Sequence, residues 1–234
     1  MGLALKAYLR ALSPRVEFAA VMFIAFGLFI PGNLHAFFSG AWATRSAPPI
    51  NNARLEKTLL IELAILGIVI LFLRAREWTF TRVGLRPTFR DSLVGVGLNI
   101  ASYIAYAVLF TAVTSLWPEI LKAVSATNLV AKNLDLPLII AVSMVNPLFE
   151  ELFTCGYVMT VLKERRGVLM AVNVSVAIRL FYHLYQGPLG VLSIMPVGLI
   201  FSYWYARTGR LWPLVVAHAL ADLVGLIAYT NLGK

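Results

Sequence analysis

Long apolar blocks alternate along this chain with short segments that are basic, polar or rich in turn-forming residues. The blocks run over roughly 17–38, 58–73, 92–116, 137–162, 168–185, 188–206 and 211–231. About 20 apolar residues wound as a helix match the hydrocarbon core of a bilayer, ~30 Å thick. A helix also satisfies its backbone hydrogen bonds internally, which lipid cannot do. The pattern predicts an all-α, polytopic transmembrane helix bundle of about seven spans. Pro31-Gly32 interrupts the first block, so a kink or an end is expected there. Residues 1–16 read as a short amphipathic helix on the membrane surface. The segment 39–57, with Pro48-Pro49 and Asn51-Asn52, reads as a turn-rich loop.

Composition sharpens the class. Of the 234 residues 60% are hydrophobic and 13% charged, where soluble domains are about half apolar and about a quarter charged. The net charge of +9 invites a nucleic-acid reading, but the basic residues sit in the short connections between blocks, so no nucleic-acid partner is expected; the partner is the lipid bilayer. Thirteen of them (Lys6, Arg10, Arg15; Arg74, Arg76, Arg82, Arg86, Arg90; Lys163, Arg165, Arg166; Arg207, Arg210) fall on one side, six (Arg45, Arg54, Lys57, Lys122, Lys132, Lys234) on the other. Cytoplasmic loops carry the Lys/Arg excess, which predicts the N-terminus inside, the C-terminus outside, and a multi-pass protein of the inner (cytoplasmic) membrane. The first block is too long for the apolar region of a cleaved signal and lacks a small-residue cleavage site. With one cysteine, Cys155, the chain has no internal disulfide and no cysteine-based metal site.

Ionisable side chains inside apolar spans are costly, and each is a functional candidate by default. Glu62, Glu150, Glu151, Arg179, His183, His218 and Asp222 qualify. Glu62 lies near the end of its block and is expected to reach the interface. Glu150 and Glu151 lie about 20 Å into the core at 1.5 Å per residue, where two adjacent carboxylates need partners. Such a pair suits general-base chemistry; the competing reading is an ion pair that holds helices together. Arg179 and His183 are four residues apart on one helix face, and His218 and Asp222 repeat the spacing on another helix. A carboxylate so placed orients an imidazole or shares a metal or substrate with it. Acids and imidazoles from three helices facing one another build a site in a bundle core. Helix counting sets His183 toward the outer side and His218 about 10 Å from the inner side. Either the span ends differ from those drawn or the segment 184–190 dips back into the bundle.

The stretch Glu150-Glu151-Leu-Phe-Thr-Cys155 resembles the Glu-Glu-x-x-x-Arg motif of the CAAX prenyl protease and bacteriocin-processing (CPBP, or Abi) family of intramembrane proteases. Arg179-Leu-Phe-Tyr-His183 is similar to the family's Phe-x-x-x-His helix, and His218-Ala-Leu-Ala-Asp222 to its His-x-x-x-Asn/Asp motif. The resemblance covers residues 137–225. It implies a scaffold over 1–136 (a surface helix and three spans), a catalytic bundle over 137–231 within one membrane domain, and an endopeptidase acting on a membrane-associated peptide or lipidated protein. In that reading Glu150 activates a water, Glu151 tunes it, and His183 binds the water or protonates the leaving amine. His218 and Asp222 then stabilise the oxyanion or orient its donor.

Two positions depart from the family. Its arginine is Cys155 here and its phenylalanine is Arg179, so Arg179 is expected to reach across and pair with Glu151. A Zn²⁺ held by Glu150, His183 and His218 with a water is open; a metal-free, glutamate-activated water is the favoured alternative. Two other classes compete: a catalytically inactive relative acting as a binding or immunity protein, and a small transporter or proton relay using the same acids.

Overall fold

The computed structural model describes residues 3–40, 50–120 and 134–232, and all the elements among them are helices. They are α1 (Leu3–Ala11), α2 (Pro14–Phe26), α3 (Ile30–Phe38), α4 (Asn52–Ala75), α5 (Phe89–Leu116), α6 (Leu136–Arg166), α7 (Val168–His183), α8 (Gly187–Thr208) and α9 (Trp212–Leu232). By length and composition four segments suit a bilayer crossing: α4, α5, α6 and Val168–Gln186. The bent pair α2–α3 makes five if it is counted as one span, and the apolar part of α9, Trp212–Ala228, is shorter. This is a multi-pass helical membrane protein.

Local chemistry sets the helix ends. Ser13 caps α2 by accepting from the amide of Val16, with Pro14 in the first turn, so the expected surface helix over 1–16 stops at Ala11. The break in the first apolar block falls at Gly27–Phe29, bending α2 against α3 by 57°. It precedes Pro31-Gly32 instead of falling on it: Pro31 sits in the first turn of α3, where a missing N–H removes no helical bond. Thr88 caps α5 by accepting from Asp91 N at 3.1 Å, and Asn51 caps α4 by accepting from Arg54 N at 2.9 Å.

Helix α6 runs through the middle of the bundle, packed by α4, α7 and α9. Every residue from Phe149 to Met159 is buried, as expected of a helix walled on all sides. Phe26, Phe149, Phe153 and Tyr182 meet edge to face, with Phe149–Phe153 centroids at 5.0 Å and Phe26–Tyr182 at 6.1 Å. The outer helix α5 does the reverse, exposing Leu93, Ile100 and Ile104 where lipid takes the place of protein. A polar anchor fixes the N-terminal helices. Glu17 accepts from Arg76 Nε at 2.6 Å and from Trp78 Nε1 and Tyr157 OH, both at 3.1 Å. Arg76 Nη1 also donates to the carbonyls of Leu9 and Arg10 at 2.7 Å, closing the C-terminal end of α1.

Candidate active site

Glu150 and Glu151 occupy the point in α6 where the backbone changes register. Pro147 lies inside the helix, and Leu152–Met159 winds as a π-helix. Proline removes a helical donor, and π-segments cluster at functional sites because they re-aim side chains. The carbonyls of this stretch find hydroxyl donors: Thr154 donates to Glu150 O at 2.7 Å, and Gly156 O accepts from Thr160 at 2.6 Å and Tyr205 at 3.3 Å. Gly156 also lets α6 approach its neighbours, since a side chain there would press on Leu211 and Val83 at 3.2 and 3.3 Å.

The two carboxylates have different surroundings. Glu151 is fully buried and saturated. Arg179 donates to it through Nη1 to Oε1 and Nη2 to Oε2, both at 2.7 Å, the fork geometry in which guanidinium and carboxylate match best. Arg179 Nη2 also donates to Thr154 Oγ1 at 2.9 Å, and its guanidinium lies 5.6 Å from the Phe201 ring centroid. His218 Nδ1 is 2.8 Å from Glu151 Oε1, and since that oxygen already serves as acceptor for Arg179, Nδ1 is the donor. His218 Nε2 faces Asp222 Oδ1 at 3.5 Å. Cys155 Sγ lies 3.8 Å from Arg179 Nη2, so the guanidinium occupies the region that an arginine at 155 would fill.

Glu150 keeps free acceptor capacity. Its Oε1 takes a 3.3 Å bond from Asn146 Nδ2, and its Oε2 is 3.8 Å from Arg179 Nη1. Facing it is His183, whose Nδ1–H donates to the carbonyl of Arg179 at 2.8 Å. A carbonyl can only accept, so the tautomer is fixed and Nε2 carries a bare lone pair. That atom stands 3.8 Å from Glu150 Oε1, too far for a direct bond and the kind of separation a water bridges.

His183 reaches this depth because α7 is only 16 residues long and ends at His183 itself. A single 3₁₀ turn, Leu184–Gln186, follows at half-buried depth, and Gly187, at φ +66°, reverses the chain into α8. A backbone with positive φ favours glycine. For the segment 184–190, the structure has the α-helix giving way at His183 to a half-buried turn packed against α3 and α8. Asn33 Nδ2 donates to the carbonyl of Tyr182, so α3 braces this turn.

The structure thus brings together Glu150, Glu151, Arg179, His183, His218 and Asp222. It corrects the placement of Glu62, which lies deep in the bundle instead of at the interface, because α4 begins at Asn52 and not at 58. Glu62 Oε1 accepts from Asn146 Nδ2 at 2.8 Å, and Tyr182 OH stands 3.5 Å away. Asn146 therefore bridges Glu62 and Glu150. Its signal was present in the sequence: Asn146 precedes Glu150 by four residues on the same helix face. As for a metal, no three His, Cys, Asp or Glu side chains among the described residues are placed to hold an ion. Of the three expected ligands, His218 has its Nδ1 on Glu151 and its Nε2 facing Asp222, whereas His183 Nε2 and Glu150 keep free lone pairs.

A paired carboxylate and two oriented imidazoles, enclosed in a helical membrane bundle, define a class of intramembrane site equipped for acid–base chemistry. Residues 132–224, which contain all three motifs, match the family model described as type II CAAX prenyl endopeptidase Rce1-like, a CPBP family of intramembrane proteases, over less than half of the chain. No curated protein and no solved structure matches the chain.

Proposed function

We propose that the protein is an intramembrane endopeptidase in which Glu150 is the general base and Glu151 the organiser of the site. The observation that carries this is the unequal engagement of the two acids. Glu151 is held by Arg179 and His218, whereas Glu150 keeps acceptor capacity 3.8 Å from the bare Nε2 of His183.

A water between Glu150 Oε1 and His183 Nε2 gives one hydrogen to each. Glu150 takes the first as the water oxygen attacks the scissile carbonyl carbon, forming the new C–O bond. The carbon–nitrogen bond then breaks, and the proton on Glu150 passes to the leaving amine. A carboxylic acid and an amine result, with atoms balanced. Such proton transfers by placed groups contribute typically 10²–10⁴-fold in rate. Asp222 and Glu151 fix the ring of His218 from both nitrogens, and His218 orients the group that meets the oxyanion. The half-buried Asp222 and Gln186 mark the side from which water and substrate enter.

The family match favours a prenylated, CAAX-type peptide as substrate over a bacteriocin-related one. Residues 137–231 supply the catalytic side chains and 1–136 the scaffold, with Glu62 reaching in from α4. About seven spans would result if α8 and α9 cross as well as the four or five segments whose length and composition suit a crossing, and the basic excess of the connections favours the N-terminus inside, in a cytoplasmic membrane. The inactive-relative reading rests on Cys155 in place of the motif arginine; the bidentate hold of Arg179 on Glu151 weighs against it, since the guanidinium is supplied from α7.

Reconstitution in liposomes with a farnesylated CAAX peptide, read by mass spectrometry with and without a chelator, tests the reading. The expected result is cleavage by wild type at the peptide bond after the prenylated cysteine, unaffected by chelator. An intact peptide after incubation with folded protein would move the binding-protein reading ahead.

A further inference from the structure

On the face that carries the chain's basic excess, two loops cross and leave a cavity of about 580 Å³. Gly84, at φ +72°, accepts from Leu211 N at 2.9 Å, and Gly209, at φ +63°, ends α8 with its amide bonded to Tyr205 O at 2.8 Å. Any side chain at Gly84 would run into the Gly209 carbonyl, so the close crossing is built into the sequence. Arg86, Arg90 and Arg210 line the cavity with Thr81, Thr88 and Thr208, of which Thr208 already donates its hydroxyl hydrogen to Trp204 O at 2.9 Å.

The charge of this cavity is unbalanced. Asp91, its one acid, is paired with Arg210. Arg86 and Arg90 make no hydrogen bond or ion pair among the described residues and are exposed. Arg90 moreover stands in the first turn of α5, the 28-residue helix capped by Thr88. The N-terminal end of a helix is electropositive and prefers an anion, and Arg90 in the first turn, with Arg86 just before the cap, adds unpaired positive charge to it. Arginine forks and threonine hydroxyls are the donors that phosphate takes.

The surface below the cavity selects the source of that phosphate. Phe89, Leu93, Val96, Ile100 and Ile104, exposed by 80, 58, 42, 54 and 60%, follow one face of α5 away from Arg86 and Arg90. A phosphate with an acyl chain attached meets both parts; a free phosphate meets only the first. We propose that Arg86 and Arg90, with Thr81 and Thr88, bind the phosphodiester headgroup of an anionic membrane lipid whose chain lies along the exposed face of α5. This site is separate from Glu150 and does not depend on the endopeptidase reading.

The test is native mass spectrometry of the full chain released from detergent with phosphatidylglycerol or phosphatidylcholine of identical acyl chains. Wild type should retain phosphatidylglycerol selectively, and Arg86→Gln/Arg90→Gln should lose about fivefold of that selectivity per arginine, close to the value of one cation beside an anionic surface. An Arg165→Gln/Arg166→Gln variant should keep it. Equal retention of the two lipids by wild type, undiminished selectivity in Arg86→Gln/Arg90→Gln, or an equal loss in the control variant would each overturn the proposal. Inorganic phosphate that protects wild type from heat as well as the lipid does would overturn the lipid as the source. Should the double variant fail to fold, the salt titration of wild type decides: selectivity must fall steeply with ionic strength, and a flat response refutes the site.

Discussion

Replacing Arg179 by alanine would strip Glu151 of both parallel bonds at 2.7 Å and Thr154 of a 2.9 Å donor, in a pocket where Arg179 is 1% and Glu151 0% exposed. Removing one partner of a buried pair leaves the other charge uncompensated and costs about 3–5 kcal/mol. At about 1.4 kcal/mol per factor of ten, that is a loss of two to three or more orders of magnitude in the folding equilibrium. His218, still 2.8 Å from Glu151 Oε1, keeps the loss toward the lower end. The assay is reversible denaturation of the purified protein in bicelles, wild type against Arg179→Ala and Arg179→Ala/Cys155→Arg. Cys155 Sγ is 3.8 Å from the present Nη2, so an arginine at 155 has its charge delivered to the vacated region and should return at least half of the loss. A cost below about 1 kcal/mol would show the pair to be no better than a surface ion pair. Failure of the second substitution to restore stability, in protein that is equally well folded, would refute the compensation between positions 155 and 179.

Three further outcomes follow from the same geometry. Glu17→Ala should destabilise the N-terminal anchor by about 3–5 kcal/mol, since Arg76, Trp78 and Tyr157 all donate to that carboxylate. Hydrogen exchange should then quicken over residues 3–26 and stay unchanged over 168–183; a uniform change would contradict the local role. Asn146→Leu takes a donor from Glu62 and Glu150 at once and should cost about 1.5–3 kcal/mol in thermal unfolding. Glu62→Gln keeps an acceptor for Asn146 and should stay within about 1 kcal/mol of wild type, so equal losses in the two variants would remove Asn146 as the bridge.

Much of this site was legible in the sequence, because charge in an apolar span advertises itself. Glu150, Glu151, Arg179, His183, His218 and Asp222 stand out against blocks of leucine, valine and alanine, and the i,i+4 spacing of the last two pairs sets each on one helix face. The Arg179–Glu151 contact followed from a swap of residue types between two motifs. What did not show was anything carried by helix ends and backbone register. Glu62 was displaced to the interface by drawing α4 six residues short, because Asn52 to Lys57 are mostly polar although they are helical. The end of α7 at His183, followed by a 3₁₀ turn and Gly187 at φ +66°, was signalled only by the mismatch in depth between His183 and His218, since the apolar pair Leu184-Tyr185 carries no mark of it. The π-helical stretch Leu152–Met159 has no periodicity of its own to betray it. The bend at Gly27–Phe29 likewise lies two to four residues ahead of Pro31, the residue whose chemistry draws the eye.

The division of labour between the adjacent glutamates is the claim on which the mechanism stands, and it is tested most directly by comparing Glu150→Gln with Glu151→Gln for both fold and cleavage of the farnesylated peptide. Glu150→Gln keeps the Asn146 contact and gives up the base together with the loose 3.8 Å approach to Arg179, so it should denature close to wild type and cleave nothing. Glu151→Gln disrupts the bidentate hold of Arg179 and should lose stability together with activity. Cleavage by Glu150→Gln near the wild-type rate, or a stability loss in it equal to that of Glu151→Gln, would contradict the assignment of Glu150 as the base.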